Sequence, residues 1–279
     1  MPLLLPQRNL RKGRRPRVAR GSRPSNRVTA GLYAELTKLC GPLVDELLQL
    51  APWLESRPGP AIAARALQDF IVKWDRILGP SIRGIAGRWV HTVSEDDRIK
   101  LQKNLAKAVG VEFTTIFDDD AVRATAELMG EQAVHLIKTV PSQYLNDIQL
   151  AVMESYQQKP LPEGRTLTEQ IQFLTGHMFE RAKLIAVDQT NKMHGMITQT
   201  RQQSLGIEEY IWRTSRDQRV VGAPGGLYPK GNAMHGNHWI REGVKYRWDE
   251  PPDDGHPGWA IRCRCHAEPV IDYDKLVLQ

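Results

Sequence analysis

Two hydrophobic periods divide the chain. From Val28 on, Leu32, Leu36, Leu39, Leu43, Leu47 and Leu50 follow one another at spacings of three and four, which puts them on one stripe of an α-helix. Pro42 after Gly41 removes a backbone donor and predicts a break or kink there. A loop at Arg57-Pro58-Gly59-Pro60 precedes a second stripe of Leu67, Phe70, Ile71, Trp74 and Leu78, and the pattern is interrupted between residues 79 and 93. Ser94-Glu95-Asp96-Asp97 reads as a capping residue with acids that opens a helix to about Val109. The acids at 118–120 predict another helix, stopped by Pro141, and Leu145, Ile148, Val152 and Tyr156 mark one more. Thr166 and Glu169 fit a capping box. It opens a short helix ended by Gly176, then a longer one through Phe179, Ala182, Ile185, Ala186, Met193 and Ile197 that Gly206 stops.

After Gly206 the period changes. Tyr210-Ile211-Trp212-Arg213-Thr214 reads as a strand, Gly and Pro become dense between residues 222 and 258, and residues 260–270 predict a closing strand. Trp212, Trp239, Trp248 and Trp259 are four of the chain's seven tryptophans, and in a loop-rich module they most simply supply buried area. So few aliphatic residues in so many turns predict a module that needs more than a hydrophobic core to hold it. The expected fold is mainly α: a helical body at 28–205 and a small α+β module at 206–279.

Charge adds a third part. Residues 1–27 contain nine basic residues and no acid, among them Arg8, Arg11, Lys12, Arg14, Arg15, Arg17 and Arg20. Taking that +9 from the net +6 leaves residues 28–279 at −3. With four prolines and two glycines besides, residues 1–27 read as a disordered basic arm. It suits either a phosphate backbone, whose binding is salt-dependent, or an acidic protein surface. No stretch approaches the roughly 18 apolar residues of a membrane span, and the short apolar start followed by arginines predicts no export signal. Three cysteines, an odd number, then point to a reducing compartment. Cys40, in a leucine-rich helix, reads as a small core residue.

Candidate chemistry concentrates in the last module. His235-Gly236-Asn237-His238 is an H-x-x-H pair, and Asp253, Asp254, His256, Cys263, Cys265 and His266 follow as further candidates. The thiols of Cys263-Arg264-Cys265 lie at i and i+2, on the same face of a strand. Two thiolates with one or two of the imidazoles could hold zinc tetrahedrally, although C-x-C is shorter than the usual structural zinc spacing. Cysteines packed in a small core, with histidines paired to backbone, are the competing reading. Asp217 with Arg219, just after the Trp212 strand, predicts an Asx-turn bridged by a guanidinium. A cysteine with a His and an Asp could build a thiol enzyme, and Asp217, His235 and His238 a metal-dependent nuclease, but no recognisable catalytic motif surrounds them.

One ordered series of motifs carries a resemblance. Residues 181–190 (RAKLIAVDQT), Leu205-Gly206-Ile207, Tyr210-Ile211-Trp212-Arg213-Thr214-Ser215, Asp217 and Arg219-Val220 come first. Pro251-Pro252, His256-Pro257-Gly258, Cys263-Arg264-Cys265 and Glu268-Pro269 complete it. Over about ninety residues this resembles the phage Mu F-like head-morphogenesis family. The resemblance implies a minor head protein of a tailed bacteriophage, acting at or near the portal vertex and linked to DNA packaging or ejection. It implies the portal protein, a major capsid or scaffolding protein and phage DNA as partners. The protein would reside in the virion, and in host cytoplasm during assembly. The family's aspartate, histidine and C-x-C positions map to Asp217, His256, Cys263 and Cys265. Its remaining histidine falls to His235 or His238 across a longer Gly/Pro-rich insertion. The alternative reading is a nucleic-acid-processing enzyme packaged in the virion.

Overall fold

The computed structural model describes residues 15–110, 120–232 and 236–276. Arg8, Arg11, Lys12, Arg14 and His235 lie outside the described residues. The fold is mainly helical, with a small strand module near the C-terminus. Among the described residues, four long helices, α1 (Asn26–Glu55), α2 (Pro60–Val109), α3 (Asp120–Tyr156) and α4 (Leu167–Ser204), are accompanied by four strands, β1 (Arg17–Val18), β2 (Glu209–Arg213), β3 (Lys245–Arg247) and β4 (His266–Ile271). No helix among the described residues is long and apolar enough to cross a membrane.

The helices are fewer and longer than their prolines and glycines predict. Pro42 and Pro52 lie inside α1, Pro80 inside α2 and Pro141 inside α3, and Gly176 lies inside α4. An internal proline costs about 3 kcal/mol in lost hydrogen bonding and clash. Buried apolar pairs bracket each proline, Cys40 with Leu43, Ala51 with Leu54, Leu78 with Ile82, and Val140 with Tyr144, so packing on both sides carries the helix through. The capping box forms as spaced. The Thr166 N–H donates to Glu169 (2.8 Å) and the Glu169 N–H to the Thr166 hydroxyl (3.2 Å). Gly206, at φ +73°, ends α4 with the Ile207 N–H bonded back to the Gln202 carbonyl.

The chain forms two compact units, and their boundary is not at residue 206. One joins Met1–Val28, Val90–Met129 and Val187–Gln279; the other joins Thr29–Trp89 and Gly130–Ala186. The second is an all-helical unit cored by residues such as Leu36, Leu43, Leu47, Phe70 and Ile148. In the first, Leu101, Leu105 and Val109 of α2 share a core with Ala19, Leu205, Ile207, Ile271 and Tyr273. That corrects the expected division into 28–205 and 206–279. The strand module has too few aliphatic residues of its own and shares a core with the later half of α2 and with Leu205 and Ile207, which follow α4.

Within this unit the sheet is antiparallel, in the order β1-β4-β2-β3. Membership of β1 corrects a second expectation, because the described part of the basic arm is docked. Arg17 and Val18 pair with Ile271 and Val270, and Ala19 is fully buried with its N–H on the Pro269 carbonyl. Arg17 donates to the Ala108 carbonyl at the end of α2, and Arg23 to the Thr214 carbonyl and the His266 ring. Gly21 permits this approach: a Cβ there would lie 2.4 Å from the Ala267 carbonyl oxygen. Composition favoured disorder, but an open edge of β4 offers backbone partners that composition does not report. Arg15 and Arg20 remain exposed.

Residues 94–97 do not start a helix; they lie inside α2 and serve tertiary contacts. Asp96 accepts from the Ser25 N–H and from Lys100. Asp97, fully buried, accepts from Arg201 (2.7 Å) and the Thr198 hydroxyl (2.5 Å) of α4. Arg201 also donates to the Ser94 carbonyl and hydroxyl. The next residue, Gln202, accepts the indole N–H of Trp248, which carries this buried polar lock to the strand module.

Candidate metal centre

Alternation along β2 and into β4 brings the site's side chains inward. Tyr210 and Trp212 are the buried residues of β2. From Cys263 to Ile271 every second residue is buried, so both thiols share a face with Ala267. Tyr210, Trp212, Trp248, Cys263, Cys265 and Ala267 form one core cluster. His238 enters it from the turn that starts the short helix at Trp239–Arg241, and Trp212 meets its ring edge-on at 5.1 Å.

His238 Nδ1 lies 3.6 Å from the sulfur of Cys263 and 3.6 Å from that of Cys265. The three donor atoms all lie within 4.8 Å of one another, and all three residues are buried. Such a group could hold a metal ion. Its protons are shared in keeping with that. Hydrogen bonding from Cys265, helped by His238, holds the Cys263 thiol well below its usual range against the opposing effect of burial. The Cys263 thiolate, with burial, pushes Cys265 well up. Burial alone would lower His238, but Cys263 and Asp254 outweigh it and raise the imidazole. The Gly258 N–H also points at the Cys263 sulfur, at 3.4 Å.

The loops that present these donors are fixed by residues far along the sequence. Arg264, between the two cysteines, makes paired hydrogen bonds to Asp217 (2.7 and 2.5 Å). Asp217 also takes the Arg219 N–H and guanidinium, and the Arg264 contact, ahead of the others, holds its carboxyl below the usual range. Asp188 of α4 accepts the Arg262 N–H (3.0 Å) and pairs with Lys192, which anchors the turn before Cys263. The Pro257-Gly258 segment runs against α4 so closely that a Cβ on Gly195 would lie 2.8 Å from the Pro257 carbonyl oxygen. Gly258, at φ +96°, takes a conformation that disfavours side chains and faces the Asn191 carbonyl.

His256, expected among the ligands, is not part of the group. A carbonyl only accepts, so His256 Nε2 donates to Trp248 O (3.1 Å), and Nδ1 accepts the Tyr210 hydroxyl (2.9 Å). Both nitrogens are spent, and burial lowers its pKa. Of the H-x-x-H pair, His238 is in the cluster, while His235 lies outside the described residues. Trp212 serves as core and as the partner of His238.

Sequence reasoning had Asp254 among the module's candidate residues without a partner for it, and did not single out Arg241. Asp254 accepts from His238 Nε2 (2.9 Å) and pairs with Arg241 (2.5 Å). No spacing rule joins residues 238, 241 and 254, so nothing in the sequence tied Asp254 to His238. Asp188 sits inside the RAKLIAVDQT motif, so its signal was the motif itself.

No family model matches the chain, and no solved structure matches it. Over 222 residues it is 28% identical to an uncharacterized protein of Haemophilus influenzae. That match covers 78% of this chain and 46% of the relative, so the chain spans about half the relative's length.

Proposed function

We propose that this protein is a minor head component of a tailed phage, of the Mu F-like head-morphogenesis kind, whose C-terminal module is stapled by zinc. The observation that carries the reading is the convergence of the motif residues on one buried assembly. Tyr210, Trp212, Cys263 and Cys265 share a core; His256 bonds Tyr210; and Asp217 holds Arg264 between the two thiols. Residues whose order along the chain resembles that family are thus joined by mutual contacts.

Zinc suits the donor set. With zinc–sulfur and zinc–nitrogen bonds of about 2.3 and 2.0–2.1 Å, the sulfur–nitrogen edge of a tetrahedron is about 3.6 Å. His238 Nδ1 stands 3.6 Å from each sulfur. Two thiolates and one neutral imidazole also balance the charge of a divalent ion. A thiol nucleophile would use the line Cys263–His238–Asp254, but Cys263 is only 6% exposed and His238 4%. Burial of that degree favours a structural role over attack on a substrate.

In this reading the partner is the portal protein, with capsid or scaffolding protein and phage DNA as further contacts, and the protein resides in the virion head. Elemental analysis of protein purified without added chelator should find close to one zinc per chain; a metal-free, fully folded protein would falsify the staple. Affinity capture from cells assembling phage should bring down portal protein. Capture without any portal, capsid or scaffolding protein refutes the head role. Asp217→Ala should lower stability and incorporation into heads together. Loss of function with assembly intact would instead favour the packaged enzyme.

A further inference from the structure

We infer that Asp254, braced by Arg241, is the positioning residue that makes His238 a metal ligand through Nδ1. This rests on the metal reading above. A carboxylate can only accept, so Nε2 of His238 carries the proton given to Asp254 at 2.9 Å. In the neutral ring that leaves the Nδ1 lone pair free, aimed between two sulfurs at 3.6 Å each. An unbraced imidazole would exchange tautomers and rotate about its Cβ bond. The outer hydrogen bond fixes both the tautomer and the plane of the ring, and makes Nδ1 more basic.

Several independent features keep the brace in place. Asp254 is 8% exposed at its side chain and Arg241 14%. Burying an ion pair is costly on solvation grounds, so it is weak as a device for stability alone. The Arg241 guanidinium also lies over the Trp212 ring, 4.9 Å from its centre, and the same ring meets His238 edge-on. Gly236, at φ +59°, makes room: a Cβ there would lie 2.9 Å from Asp254 Oδ2 and 3.2 Å from Arg241 Nη2. The glycine of the H-G-N-H motif thus has a stated purpose, which is to admit the brace behind the ligand.

The test measures zinc dissociation constants of the full chain by chelator competition. Cobalt substitution serves as a second readout, because thiolate-to-cobalt absorption reports ligation by Cys263 and Cys265. Asp254→Ala should weaken zinc binding by roughly 10- to 100-fold, the usual effect of losing an outer-shell partner, and speed metal release, while cobalt absorption at saturation keeps its thiolate bands. Asp254→Asn keeps an acceptor for Nε2 without the charge and should fall between Asp254→Ala and wild type. Arg241→Met, which spares the acceptor itself, covers the case in which the alanine variant fails to fold, and should weaken binding in the same direction. A merely structural Asp254 would lower the melting temperature of metal-free and loaded protein equally and leave the dissociation constant unchanged. Variants that bind zinc within twofold of wild type overturn the positioning role and leave the metal reading standing. Wild-type protein that binds neither zinc nor cobalt overturns both.

Discussion

Replacing Arg201 with methionine tests the buried lock between α2 and α4. Asp97 and Arg201 are 0% and 1% exposed, 2.7 Å apart. At that distance and an effective dielectric of about 20, their attraction is about 6 kcal/mol. The substitution also removes the guanidinium's hydrogen bonds to the Ser94 carbonyl and hydroxyl, and it relieves the cost of burying the arginine. What remains is a carboxylate in the core with the Thr198 hydroxyl at 2.5 Å and His194 Nδ1 at 3.6 Å. Breaking one side of a buried pair costs about 3–5 kcal/mol, or a fall in melting temperature of roughly 6–20 °C at roughly 2–4 °C per kcal/mol. The double variant Asp97→Leu/Arg201→Met should regain most of that, because both charges leave the interior. Urea and thermal unfolding at neutral pH, followed by helical circular dichroism, would measure both. A single variant within about 1 kcal/mol of wild type, or a double variant no more stable than the single, would refute the account of this lock.

Other outcomes follow from the same contacts. Chelation of bound metal should lower the melting temperature, and the difference should vanish in Cys263→Ala/Cys265→Ala; an equal shift in that variant would place the metal elsewhere. Burial first, then Arg23, pushes His266 down to about 3, and burial also lowers His194 and His256. A depressed imidazole binds protons better in the unfolded chain, so stability should fall as pH drops below about 6.5. Burial would raise Glu242, but bonds from Thr214, Arg216 and Arg213 outweigh it and bring it down to about 2; its stabilisation should fade below about pH 4.3. Metal-free protein equally stable at pH 7 and pH 4.5 would contradict the histidine assignments, and the absence of a further loss on going well below about pH 4.3 would contradict that of Glu242. Gly195→Val should destabilise by roughly 1–3 kcal/mol through overpacking against Pro257, read as a lower urea midpoint. On the reading that the basic arm contacts DNA, deleting residues 1–14, which spares β1, should weaken DNA binding and flatten its salt dependence. Unchanged DNA affinity with failed head incorporation would assign the arm to a protein partner.

Much of the helical architecture was legible because it repeats. The leucine stripe from Leu32 to Leu47 and the reciprocal Thr166–Glu169 cap are local patterns with local causes. Proline was misleading for the same reason: its cost is local, whereas the packing that overcomes it at Pro42, Pro80 and Pro141 comes from elsewhere in the chain. Asp96 and Asp97 looked like a helix start because short-range rules know nothing of Ser25 or Arg201. At the candidate centre, the same-face thiols could be read from a spacing of two. The choice of His238 over His256 could not. It depends on the Tyr210 hydroxyl and the Trp248 carbonyl occupying both nitrogens of His256, and those contacts span 46 and 8 residues. The contact of Asp254 with His238 was hidden for the same reason.

The position of β4 bears on how the protein is made. It is the inner strand between β1 and β2, and it is also the last strand among the described residues. As the polypeptide leaves the ribosome, β1, β2 and β3 emerge with the strand that must join them still unsynthesised. Arg23 waits 243 residues for His266. Closing so large a loop is slow, and until it closes the edge of β2 and the thiol at Cys263 stand open to other chains. A nascent chain halted before residue 266 therefore presents an adhesive edge that the finished protein hides, which makes synthesis the period when chaperones or an early assembly partner have most to gain by binding.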